Sequence, residues 1–322
     1  LAGKPVELTK SLDRSVDAFV PTQKGEILFQ VEENAGNSLY SVTLGKDPSR
    51  LCGPVGMLSS LCGDSSGRVL AMTEARMNRP AEVAVYELGK GEPRLLTGHN
   101  SKALATLDLP RPESMSVPVE GASMQMWLLK PPGFDPSKKW PLVYLVHGGP
   151  QGAWEDGWSW RWNPSLWAAR GYVVACPNPR GSTGFGQKFV DDISGDWGGK
   201  CYRDLMAGMD ALEKLPFIDK DRMASAGASF GGYMMNWFQG NTTRFKTLIT
   251  HCGVFNFESM YATTEEIWFD EWEHGGPPWG PNRQSYEKHS PHKLAANFKT
   301  PMLIIHNDLD FRCPIGQGHE LF

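Results

Sequence analysis

The sequence predicts an α/β domain preceded by a β-rich segment, and three observations carry that expectation. Gly227-Ala228-Ser229-Phe230-Gly231 stands between a β-like run at 222–226 and a helix-like run at 233–238. Apolar runs at 141–146, 172–176 and 301–306 read as buried parallel strands, each followed by a loop of glycine, proline or polar residues. Residues 1–112 read instead as a succession of short β-strands.

Composition bounds what such a chain can be. Its 322 residues suggest about two domains. Hydrophobic residues at 40% supply a sizeable core, and a net charge of −4 with scattered Lys and Arg predicts neither nucleic acid nor an anionic membrane surface as partner. No stretch approaches the roughly 18 apolar residues of a membrane span. The first residues, Leu1-Ala2-Gly3-Lys4-Pro5, lead into no apolar signal region and begin without Met, which predicts a start after processing or midway through a longer protein. Of six cysteines, Cys176, Cys252 and Cys313 fall in or beside apolar runs and read as small buried thiols. Cys52 and Cys62, across a Gly/Pro-bearing stretch, could pair, which leaves the redox compartment open.

In order, strands are expected at 16–20, 25–31 and 38–46, and again at 67–72 and 83–90. Gly25 and Gly67 stand 42 residues apart, and the Leu-Gly-Lys triplets starting at Leu44 and Leu88 stand 44 apart. That spacing suits β-propeller blades of about 40–45 residues; a β-sandwich is the alternative. Closure takes about four blades, so residues 1–112 are expected to form the last two to three blades of a partial propeller. The Pro- and Ser-rich stretch 110–118 marks the expected boundary to a second domain, 113–322. A hairpin or strand at 119–130 enters it. The strand at 141–146 ends in His147-Gly148-Gly149-Pro150, and a Trp-rich loop and a helix near 164–170 follow. After the strand at 172–176, a helix is predicted near 204–215 from apolar residues at 205, 206, 209, 212 and 215. A further strand at 245–252 precedes a long insertion, 256–298, before the last strand and a helix-like segment at 315–322.

A strand, a sharp turn and a helix around G-x-S-x-G describe a nucleophile elbow, and with the alternating order they give an α/β-hydrolase domain. The flanking glycines are expected to let the backbone take a strained turn that a Cβ would block. Ser229 is then the candidate nucleophile. It needs a base and a group that fixes the base, in the chain order Ser, acid, His. Asp308 and Asp310, past the end of the last strand, are candidate acids; Asp310 is favoured over Asp308, and an Asx-type turn or cap is the alternative for either. Only His319 follows, on a segment leading away, so the catalytic histidine is expected beyond Phe322 and the domain is expected to be incomplete at its C-terminus. Oxyanion donors are expected from the Phe230 amide and from the His147-Gly148-Gly149 loop, where the His147 ring is a further candidate. His289 and His292 lack further ligands at metal spacing, so no metal and no cofactor are expected. The tryptophans at 154–167 and 268–279 suit either core or an apolar pocket, Trp268 included. Asn241-Thr242-Thr243 is a glycosylation sequon, of consequence only for a secreted eukaryotic protein.

Five segments in order, HGGPQG (147–152), NPRGSTGFG (178–186), GASFGGYMMNW (227–237), EWEHGGPPW (271–279) and HNDLDFRCP (306–314), resemble the prolyl oligopeptidase family of serine peptidases, nearest its acylaminoacyl-peptidase and dipeptidyl-peptidase 5 branch. The resemblance covers about 117–322. It implies Ser229 as nucleophile, Asp310 as triad acid, a histidine some tens of residues past the end, and Arg312 on the substrate's P2 carbonyl. His147 stands where relatives carry an oxyanion-hole tyrosine. The expected function is a serine exopeptidase that releases dipeptides from the N-terminus of oligopeptides through an acyl-enzyme, with an apolar or small residue at P1. Glu271 and Glu273 are candidate carboxylates for the free amine. An acylaminoacyl-peptidase or oligopeptidase is the nearest alternative; an esterase or a non-catalytic scaffold on the same fold is the more distant one. Oligopeptides are the expected partners, with neither nucleic acid nor membrane, and a homodimer is allowed. The resemblance leans toward export or the periplasm over the cytoplasm.

Overall fold

The computed structural model describes residues 3–322. The chain divides into two compact units. The first comprises the residues up to Leu109 with Glu155–Ser165 and Thr183–Gln187; the second comprises Pro110–Trp154, Leu166–Ser182 and Lys188–Phe322. Among the described residues, no helix is long and apolar enough to cross a membrane.

The first unit holds two four-stranded antiparallel meanders. One is β1 (Val16–Pro21), β2 (Glu26–Glu33), β3 (Gly36–Thr43) and β4 (Ser49–Val55). The other is β5 (Met57–Gly63), β6 (Val69–Arg76), β7 (Arg79–Glu87) and β8 (Arg94–Leu95). Strands β4 and β5 escape the sequence reading because their apolar positions are few and broken by Gly53, Pro54 and two serines. Side chains alternate across β2: Leu28 joins a core with Leu39, Leu58, Leu70 and Tyr86, while Phe29 and Val31 pack with Tyr40 and Val42 on the opposite face. Both faces of the sheet's central strands, β2 and β3, are therefore buried. Cys52 and Cys62 do not pair, and no disulfide forms among the described residues. Cys52 lies in the core and Cys62 is exposed.

The second unit is built on one seven-stranded sheet. Its strands are β9 (Glu113–Val119), β10 (Ala122–Leu129), β11 (Trp140–Val146), β12 (Val173–Asn178), β13 (Ile218–Ala228), β14 (Thr247–His251) and β15 (Met302–Ile305), in the order β15-β14-β13-β11-β12-β10-β9. The last five in sequence run parallel, and the β9–β10 hairpin is antiparallel at one edge. The Pro- and Ser-rich stretch expected to mark a domain boundary is thus largely strand. Pro118 is tolerated because β9 has no partner on its outer side. The chain steps from β11 outward to β12, then crosses back to β13 on the other flank of β11. That reversal opens a crevice at the carboxyl ends of β11 and β13, where open α/β sheets bind ligands.

Helices Lys200–Leu212 and Phe230–Asn241 supply the buried Leu205, Met209, Tyr233 and Phe238 to the core on this sheet. The insertion after β14 is helical, with Phe257–Thr263, Ile267–His274 and Arg283–Lys288. Its tryptophans and prolines concealed the short helical periods.

Candidate functional site

Strand β13 ends at Ala228 and the next helix begins at Phe230, so Ser229 alone makes the turn. Its backbone sits at φ 56, ψ −118, a conformation costing a non-glycine residue roughly 1–3 kcal/mol. The Ser229 N–H donates to the His251 carbonyl at 2.9 Å, and its own carbonyl accepts from Tyr233 N–H at 2.8 Å. The strain expected of the flanking glycines therefore rests on the serine itself. Gly227 and Gly231 serve clearance instead. A Cβ on Gly227 would lie 2.5 Å from the Gly231 carbonyl, and one on Gly231 would lie 2.2 Å from the Val146 oxygen. Ser229 is thereby presented at a helix N-terminus, where the first amides have no intrahelical partner and the helix dipole favours negative charge.

From the neighbouring strand comes the His147-Gly148 loop. Gly148 abuts the serine: a Cβ there would lie 3.3 Å from the Ser229 Cβ. The His147 ring is buried, with Nδ1 2.7 Å from the Gly148 carbonyl and Nε2 2.9 Å from the Ser182 hydroxyl. Burial pushes its pKa down to about 4, so the ring is neutral at pH 7. The Ser182 hydroxyl also lies 2.6 Å from the Pro179 carbonyl, to which it donates. Both ring nitrogens thus face polar neighbours, and what the loop turns toward Ser229 is the Gly148 backbone.

Ser182 is itself placed by a buried ion pair. Arg180 donates to Asp204 through Nε at 2.8 Å and through its backbone N–H at 3.0 Å, and Nη1 donates to the Glu120 carbonyl at 3.0 Å. The Asp204 bonds hold the Arg180 guanidinium above its ordinary pKa. Asp204 stands on the helix Lys200–Leu212, which anchors the loop after β12 to the core.

On the far side, the turn after β15 brings Asp310, Arg312 and Cys313. Oδ1 of Asp310 accepts from the amides of Arg312 (3.2 Å) and Cys313 (2.9 Å), whereas Asp308 is exposed. Cys313 is buried, its thiol meets the Ser229 side chain, and desolvation pushes that thiol up to about 12. Ser229 and Asp310 thus share Cys313 as a neighbour. Arg312 pairs with Glu266 at 2.9 Å and remains 63% exposed. His319, downstream, is exposed on the helix Gly316–Leu321.

A cavity of about 310 Å³ opens beside Ser229, with Phe230, Trp268 and Arg312 among its lining residues. Glu271 and Glu273 do not line it. Glu271 accepts from the Tyr261 hydroxyl at 2.9 Å. The Glu273 carboxylate is 1% exposed and accepts from Gln151 (2.8 Å), Ser194 (3.1 Å) and Trp197 (2.7 Å), which bind the insertion to the domain. Asp270, which does line the cavity, was not singled out from sequence; a lone acid on an aromatic-rich helix carries no signal there. Among the described residues, no group of three or more His, Cys, Asp or Glu side chains is arranged to hold a metal.

Residues 158–322 match the sequence model of the prolyl oligopeptidase family. The whole chain aligns at 37% identity with the probable dipeptidyl-peptidase 5 of Emericella nidulans and with the dipeptidyl-peptidase 5 of Arthroderma benhamiae, covering 46% of each. Among solved structures, an acylaminoacyl peptidase of Pyrococcus horikoshii superposes with a TM-score of 0.85 at 27% identity, over 97% of this chain and 49% of that one. The chain therefore spans about half the length of the relatives it matches.

Proposed function

This chain belongs to the prolyl oligopeptidase family, and on that premise we propose that it carries the nucleophile side of a serine exopeptidase that releases dipeptides from oligopeptide N-termini. The observation that carries this is Ser229, strained at the strand–helix turn, with the Gly148 backbone packed against it at the mouth of a cavity.

In this reading the Ser229 hydroxyl attacks the scissile carbonyl while a histidine takes its proton. Asp310 orients that histidine: its Oδ1 is held by two amides, which leaves Oδ2 for the ring. The oxyanion is received by the Phe230 amide, at the start of its helix, and by the Gly148 backbone. The acyl-enzyme then yields to water. Arg312 is placed to meet the substrate backbone at the cavity rim, exchanging part of its pairing with Glu266. Apolar walls at Phe230, Met260 and Phe269 favour an apolar or small P1 side chain. The two antiparallel meanders, one with central strands buried on both faces, fit the last two blades of a propeller that would admit only short, unstructured peptides. The names of the Emericella and Arthroderma relatives support dipeptide release; that of the Pyrococcus structure supports removal of a blocked residue as the second reading.

The test is hydrolysis of dipeptidyl p-nitroanilides by the complete protein, with free and with acylated N-termini. Cleavage of the free substrates that disappears in Ser229→Ala is the expected result. Cleavage confined to acylated substrates supports the second reading, and full activity in Ser229→Ala refutes both.

A further inference from the structure

We propose that the cavity beside Ser229 takes a basic side chain at P1, lysine first, with its ammonium group meeting the carboxyl of Asp270. This rests on the peptidase reading above and puts a basic P1 side chain in place of the apolar or small one that the walls alone suggest.

Asp270 is 3% exposed and stands on the wall of the same cavity that Ser229 borders. Its Oδ2 is buried and has no hydrogen-bond partner. A desolvated carboxyl oxygen without a donor is unfavourable unless a ligand supplies one. The neighbouring carboxylate on the same helix makes the contrast: Glu273 is equally buried but fully served by Gln151, Ser194 and Trp197. Asp270 is an acid of this wall with a buried oxygen that the fold leaves without a donor.

The remaining walls suit a long aliphatic stem. Trp197 and Phe230 meet edge to face at 5.0 Å, and Met260 and Phe269 continue the apolar surface. About 310 Å³ accommodates a lysine side chain in extended form. An apolar P1 residue would satisfy these walls and leave Asp270 unpaired. A lysine satisfies both.

Charges around Asp270 point the same way. Glu266 and Glu273 face it from its own helix, and their negative potential opposes its ionisation while attracting a cation. His274, on that helix, is held neutral by burial. Tyr261 and Tyr286, from the two flanking helices, lie close enough for Asp270 to raise their own pKa values. Cys313 is a neutral thiol, and Arg312, the one cation lining the cavity among the described residues, is paired to Glu266. Desolvation, then Glu266 and Glu273, push Asp270 up to about 7. The carboxyl is therefore largely protonated at pH 6 and largely ionised at pH 8. Lysine recognition should strengthen across that window, because the ionised form pairs with an ammonium and the neutral form does not.

The experiment compares kcat/KM of the complete protein for Gly-Lys and Gly-norleucine p-nitroanilides at pH 6 and pH 8, each with free and with acetylated N-terminus. Norleucine keeps the stem and removes the charge, so the ratio cancels titration of the catalytic base and of the substrate amine. The ionised fraction of a group with pKa near 7 rises roughly tenfold over this range, and the Lys/norleucine ratio is expected to rise by about that factor. Asp270→Asn is expected to flatten the ratio and to lower kcat/KM for lysine about tenfold or more, with norleucine within about threefold. A ratio independent of pH in the wild type overturns the proposal without recourse to a variant, as does an unchanged ratio in a folded Asp270→Asn. Cleavage of acetylated substrates alone refutes dipeptide release, yet the ratio on those substrates still decides the role of Asp270. Turnover of neither set overturns both.

Discussion

Replacing Asp204 by alanine tests whether the loop that supports Gly148 is held from the core. Asp204 is fully buried, and its side chain accepts from the Arg180 guanidinium and from the Arg180 backbone N–H. Arg180 is itself only 4% exposed. Alanine would leave a guanidinium in the interior with one carbonyl, that of Glu120, as its recorded acceptor. Breaking a buried ion pair from one side costs about 3–5 kcal/mol, because the remaining charge stays desolvated. At about 2–4 °C per kcal/mol for a domain of this size, the melting temperature of the second unit should fall by roughly 6–20 °C. Activity should fall as well, since the loop carries Ser182, Ser182 holds the His147 ring, and that ring braces the glycine against Ser229. The assay is calorimetric or urea unfolding with kcat/KM measured below the transition. The paired variant Arg180→Met with Asp204→Leu removes both charges and should recover most of the stability. A loss under about 1 kcal/mol in Asp204→Ala, or a double variant no more stable than the single, would refute the argument.

Two further outcomes follow from strain and from titration. Ser229→Gly should abolish hydrolysis yet exceed Ser229→Ala in stability by about 1 kcal/mol, because glycine relieves the positive φ that alanine shares with serine; equal urea midpoints would contradict a strained turn. In the first unit, burial, then Glu32 and Asp17, push the Glu155 carboxyl up to about 8. A carboxyl raised on folding contributes stability that is full below the ordinary glutamate range and lost as pH climbs through its folded value. The wild type should therefore lose stability between about pH 5 and pH 8, and Glu155→Gln should flatten that loss. A variant that declines in parallel with the wild type excludes Glu155 as its source.

Much of the second unit was legible because its signals are local. Runs such as 141–146 are apolar on both faces, as a strand covered on both sides must be. Glycines packed around a serine before a helical period describe a turn too tight for side chains. The short strands β4 and β5 were not legible, since Gly53, Pro54 and exposed serines erase the alternation that marks a half-buried strand. Pro118 was misleading for a related reason: proline argues against a strand unless the strand is an edge, and edge position is a property of the sheet. The periods of the insertion's helices are too short to register against their tryptophans.

By itself the sequence determined the buried parallel strands of the second unit, the turn that presents Ser229, and the family. These depend on neighbours within a few residues or on motifs read in chain order. The rest was decided by contacts between distant segments. His147 and Ser182 are 35 residues apart, and only their meeting engages the ring that looked free in the sequence. Glu273 and Asp270 stand three residues apart on one helix; folding surrounds the first with donors and leaves the Oδ2 of the second without one. Burial and hydrogen bonding set what a carboxyl can do, and both are fixed by what the tertiary structure brings against it.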